Sequence, residues 1–149
     1  MSFYVEVCID YDGKLETLKE QIESIIGGKF YPIEEEVGWQ KSFLGMWFEL
    51  TENDFENDGD VDFENYPFVL SSRTSTGTPL KTIRRLQIPI TDLIAQLICL
   101  ELKVEVMVVI DTQEVYAKYH PKKIIPKLRI WNKTTERPTK EKLTELGLE

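Results

Sequence analysis

With 149 residues and an apolar fraction of 42%, the chain is long enough to bury a hydrophobic core as one domain without disulfides or metal. No run of about 18 uncharged apolar residues is available to span a bilayer. The opening Met-Ser-Phe-Tyr-Val-Glu-Val lacks the basic and long apolar regions of a signal peptide, so a soluble, cytoplasmic protein is expected. The net charge of −8 is uneven, with 17 acids and 5 bases in residues 1–75 against 9 acids and 13 bases in residues 76–149. An acidic first half argues against a nucleic-acid ligand there, because phosphate contacts need Lys and Arg.

Phe3-Val5-Val7-Ile9 alternates with Tyr4-Glu6-Cys8-Asp10, the period of a strand with one buried face. Leu15, Leu18, Ile22, Ile25 and Ile26 then follow at helical spacing, with Asp12 suited to cap the helix and Gly27-Gly28 to end it. "FLGMWFEL" (43–50) reads as a strand apolar on both faces and "YPFVLSSRT" (66–74) as another, joined by a long acidic hairpin connection. After the turn-rich "TSTGTP" (74–79), Leu86-Gln87-Ile88-Pro89-Ile90 alternates again, and its proline indicates an edge strand or a strand end. Thr91 or Asp92 is placed to cap a buried helix, "DLIAQLICLEL" (92–102). "VEVMVVI" (104–110) has the continuous apolar character of a central strand, and "EVYAKY" (114–119) reads as its hairpin partner.

Together these elements predict a single α+β domain over 1–149. Its mixed or mainly antiparallel sheet, near the split βαβ arrangement, carries two main helices packed on one face. Residues 1–120 form the core, and 121–149 a basic, proline-punctuated extension in which Thr139 caps a short C-terminal helix ended by Gly147. Cys8 and Cys99 lie far apart with no CxxC spacing, as buried reduced thiols do.

The most unusual stretch is "ENDFENDGDVDFEN" (52–65), with seven carboxylates and no base. Asp54, Glu56 and Asp58 fall at positions one, three and five of an EF-hand calcium loop, Gly59 at six and Val61 at eight. Position twelve is Asn65 where a bidentate Glu is needed, and the flanks read as strands. Asp60-Val61-Asp62 also forms a DxD, too small a signal in an Asp-rich run, and no metal or other cofactor is expected. Apolar rings inside such a loop either anchor it to the body or serve as hot spots for a partner that the carboxylates steer into place. On this reading Asp54, Glu56, Asp58, Asp60, Asp62 and Glu64 form a charged contact surface, Phe55 and Phe63 are anchors, and Glu34, Glu35 and Glu36 extend the surface.

"VCIDYDGKL" (7–15) resembles motif one of the haloacid dehalogenase-like phosphatases, in which DxDG ends the first strand. The resemblance implies Asp10 as nucleophile, Asp12 as proton donor and magnesium at the phosphate, on a doubly wound sheet. The later Ser or Thr, the Lys and the acidic pair of that family have no matching placement here, and the same residues suit a strand-to-helix turn. His120, the single histidine, has no nucleophile patterned near it. "TSTGTPLKTIRR" lacks P-loop spacing, and Trp131 with nearby lysines is a slight nucleic-acid footprint.

With no complete catalytic set, a binding protein rather than an enzyme is expected. In size, acidity and α+β outline the chain resembles the small immunity proteins that bacteria encode beside polymorphic or contact-dependent toxins, a likeness of general character carried by no single motif. It implies a cytosolic inhibitor that binds a cognate toxin, often a basic nuclease, with no membrane or nucleic-acid partner. A non-catalytic adaptor domain is a further reading of the same features.

Overall fold

The computed structural model describes residues 3–43, 45–57, 61–74 and 80–122, with the backbone alone for 80–84. The elements, in chain order, are β1 (Val5–Ile9), α1 (Leu15–Ile26), β2 (Tyr31–Pro32), β3 (Gly38–Phe43), β4 (Met46–Glu52), β5 (Phe68–Thr74), α2 (Leu80–Leu102), β6 (Val106–Ile110) and β7 (Glu114–Tyr119). The strands form one seven-stranded sheet in the order β2-β3-β4-β5-β1-β6-β7, and every ladder is antiparallel. The fold class is thus α+β. Because β5 and β6 both run antiparallel to β1, which separates them, β5-α2-β6 is a split βαβ unit.

Every residue of β1 is buried, including Glu6, so the expectation of one solvent-facing side on this strand is corrected. The reason is the strand's central place: both of its faces are covered, and by different things. Val5, Val7 and Ile9 join Leu18 and Ile22 of α1, Ile94, Ala95, Ile98 and Cys99 of α2, and Phe48, Leu50, Leu70, Val106 and Val108 of the neighbouring strands in one core cluster. Cys8 points to the other face and joins a second cluster, made of Val69, Met107 and Val109 from the sheet and Val61, Phe63 and Tyr66 from the β4–β5 connection. The acidic loop thus folds back over the sheet and closes its second apolar face. Each large side chain so buried is worth about 2 kcal/mol of transfer free energy.

Several local expectations are also corrected. Residues 43–50 are not one strand, because Phe43 pairs with Met46 across a reversal that places Gly45 at φ 75°. This left-handed backbone suits glycine, and β3, unforeseen from the sequence, fills the far side of the hairpin. Lys14, with no side-chain cap bond, occupies the N-cap of α1 in place of Asp12, while Gly27 ends the helix at φ 80° as its sequence suggests. Leu86–Ile90 is not a strand but an interior stretch of α2, which contains Pro89, and Thr91 and Asp92 lie inside that helix rather than capping it. The buried positions Gln87, Thr91, Ile94, Ala95, Ile98 and Cys99 keep a helical period, but its first two members are polar. Their donors find partners under the helix: Gln87 Nε2 donates to Phe3 O at 2.8 Å and to Ser72 O at 3.1 Å, and Ser72 Oγ lies 2.9 Å from Thr91 Oγ1, while Gln87 Oε1 is buried without a hydrogen bond among the described residues. The short C-terminal helix, Thr139, Gly147 and Trp131 lie outside the described residues.

Candidate functional site

Asn53, the first residue after β4, organises the acidic loop. Its Nδ2 donates to Phe63 O at 3.0 Å and Tyr66 O at 2.9 Å, its Oδ1 accepts from Phe55 N at 3.0 Å, and its own N donates to Pro67 O at 2.9 Å. One side chain therefore ties the entry of the loop to its exit. Further along, Asn57 Oδ1 accepts from Glu64 N at 2.9 Å, and Asn65 donates to the Asp62 carboxylate. The described part of the loop is held by amide side chains, which the charge pattern of the sequence obscures.

This scaffold sorts the expected site residues. Asp54, Glu56 and Glu64 are exposed, Asp62 is half-buried, and Asp58 and Asp60 lie outside the described residues. Phe63, expected as an anchor of the partner-contact surface, is instead 2% exposed and belongs to the second core cluster, where its ring holds the loop to the body of the protein. Phe55 is 41% exposed, and its ring centroid stands 5.0 Å from that of Phe63. The pair joins a surface ring to a core ring.

Around Phe55 the surface is concave and acidic. A cavity of about 290 Å³ is lined by Tyr4, Glu6, Glu52, Asp54, Phe55 and Ser71 among others. Glu52 also borders a larger depression of about 480 Å³ that reaches Ile33 and Glu36, and these two residues in turn border a third, of about 310 Å³, with Glu34, Glu35 and Glu49. Glu34, Glu35 and Glu36 are thus continuous with the loop by way of the β2–β3 edge. Arg73 sits 3.9 Å from Glu49 on the same sheet face and partly offsets it.

Glu6 was not foreseen as part of this surface, because strand alternation assigned it to solvent. It is 3% exposed, and burial pushes its carboxyl up to about 7, an effect that Asp111 adds to and the Thr112 amide opposes. Thr112 N donates to Glu6 Oε2 at 3.4 Å from a turn in which Asp111 and Thr112 both have positive φ, the conformation of a tight hairpin between β6 and β7.

The other candidates are dispersed. Asp10 directly follows β1, and its carboxyl is raised by partial burial and by the neighbouring Glu105 and Asp12. The strands beside β1 run antiparallel to it, unlike the doubly wound sheet that the phosphatase resemblance implies. His120 Nε2 lies 3.4 Å from Glu105, and its Nδ1 accepts from Lys122 N. Among the described residues no group of three or more His, Cys, Asp or Glu is arranged to hold a metal ion, and no helix is long and apolar enough to cross a membrane. Comparison of the chain with protein-family models, curated proteins and solved structures finds no match.

Proposed function

We propose that this chain is a protein-binding module which docks a basic partner on its acidic face, and that it acts in the cytoplasm as the immunity protein of a toxin, without catalysis or a cofactor of its own. The observation that carries the reading is Phe55, an apolar ring 41% exposed among Glu52, Asp54 and Glu56 and fixed from beneath by Phe63 and Asn53. A ring in such a setting supplies anchoring area, while the carboxylates accelerate encounter with a cationic surface and fix its orientation. Because the Asn53 bonds already order the segment, less conformational entropy remains to be lost on docking.

The test is a pull-down from lysate of the source cells at low and high salt, made with the native chain and with an Asp54→Asn, Phe55→Ala, Glu56→Gln variant. One basic protein, recovered at low salt, lost at high salt and lost with the variant, is expected. Its toxicity on expression should be relieved by co-expressing the native chain. Recovery indifferent to both salt and variant counts against the acidic face, and toxicity unrelieved by co-expression counts against the immunity role.

A further inference from the structure

The cavity beside Phe55 combines features that call for a particular kind of side chain. Its floor holds Glu6, whose neighbours across the sheet are Ser71 on β5 and Val109 on β6, neither of them charged. Among the described residues Glu6 forms no ion pair, and its hydrogen bond from Thr112 N is a long one at 3.4 Å. The titratable groups around it are Tyr4 just before its strand and Cys8 on it, Glu52 and Asp54 at the rim and Asp111 on the adjoining turn, with Arg73 two residues along β5 from Ser71 and paired with Glu49 on β4. Arg73 is the one base in this set and is engaged by Glu49. The walls include two half-exposed rings, Tyr4 and Phe55.

A carboxylate buried without a cation is costly, and it becomes favourable when a well-aligned positive donor reaches it. A guanidinium suits this enclosure better than an ammonium, since its flat faces lie against aromatic rings while its edge donates two parallel hydrogen bonds to a carboxylate. We propose that this cavity receives an arginine side chain of the docking partner, with the guanidinium against Tyr4 and Phe55 and its N–H groups donated to Glu6. The inference rests on the reading of this face as a protein-docking surface. Since burial holds the Glu6 proton up to about pH 7, entry of the cation displaces that proton and tightens as pH rises through this value.

The purified chain is to be titrated with N-acetyl-arginine methylamide, with N-acetyl-norleucine methylamide as the uncharged control, while the amide resonances of Tyr4, Phe55 and Ser71 are followed by NMR. At pH 8 saturable shifts are expected with the arginine compound only, weakened about tenfold by Glu6→Gln, the share of a charged hydrogen bond. The native chain should bind more weakly at pH 5.5, and the variant should lose that pH dependence. Ser71→Val, which narrows the cavity without changing its charge, should also weaken binding. No saturable shift, equal binding of the norleucine compound, or an affinity unchanged by Glu6→Gln overturns the proposal. The titration needs no partner, so a partner captured through the loop together with a failed titration removes the arginine site alone, whereas a successful titration without any salt-sensitive partner removes the docking function alone.

Discussion

Phe55 and Phe63 stand with ring centroids 5.0 Å apart and planes tilted by 42°, one ring 41% exposed and the other 2%. The contact lets a solvent-facing ring stay in place without being part of the core. Phe55→Ala is therefore expected to cost the fold less than about 1 kcal/mol, whereas Phe63→Ala, which empties a position packed on Cys8, Val69 and Met107, should cost about 3–5 kcal/mol. Denaturant unfolding of the two variants measures the difference. A large stability loss from Phe55→Ala would mean that this ring is structural, and its exposure would then say little about a partner.

Glu6 makes stability depend on pH in a definite direction. Its carboxyl ionises near 7 in the folded chain against an ordinary value of 4.5, so between these values the folded state binds more protons than the unfolded one. Stability from this group accordingly falls as pH rises from about 4.5 to about 7 and is level above that. The full effect is roughly 3 kcal/mol. Glu6→Gln keeps an acceptor for the Thr112 amide but cannot ionise. Chemical denaturation should find the variant more stable than the native chain at pH 8, with the gap shrinking toward pH 4.5. A gap of the same size at both pH values would show that the carboxyl titrates normally in the fold.

The outer plan of the domain was legible in the sequence because its signals were apolar and periodic. β1, α1, β5, β6 and β7 all lie within a few residues of where alternation or helical spacing puts them. The failures came where polar side chains are buried against one another. Gln87 and Thr91 continue the inward face of α2, but as polar residues next to Leu86, Ile88 and Ile90 they mimic the alternation of a strand, and Pro89 reinforces that impression. Glu6 escapes for a different reason, since alternation says which residues share a face and not whether a loop covers it. Phe55 and Phe63 are separated by burial alone, which depends on the path of the loop and hence on Asn53, a residue whose importance lies in carbonyls 10 and 13 positions away.

Asn53 makes a sharper prediction than any carboxylate of the loop. Asn53→Asp keeps the acceptor for Phe55 N but turns the donor end, which serves Phe63 O and Tyr66 O, into a second acceptor surrounded by acids. Two carbonyls lose their partner and gain a repulsive neighbour, so a loss of about 2–3 kcal/mol is expected, exceeding that of Asn53→Ala. Hydrogen exchange should register it first at the Phe55 and Glu64 amides, with β1 amides affected less. Equal exchange in the native chain and in the Asn53→Asp variant would show that the loop is held by the burial of Val61, Phe63 and Tyr66 without help from this side chain.

Pro89 poses a separate question about α2. In a helix that runs from Leu80 to Leu102, a proline at 89 removes the amide that would otherwise bond Arg85 O, and its ring crowds that carbonyl. Pro89 itself is exposed, so its side chain contributes little packing. If helix propensity alone decides, Pro89→Ala should stabilise the protein by about 1–3 kcal/mol. The competing effect is positional: Gln87 and Thr91 flank Pro89 and must both reach Ser72, and a proline-induced bend can be what aligns them. Thermal unfolding of Pro89→Ala, alone and combined with Gln87→Met, separates the two. A gain that appears in both backgrounds supports the propensity account, whereas a loss in the native background that disappears once Gln87 is replaced shows that the bend serves the buried polar network.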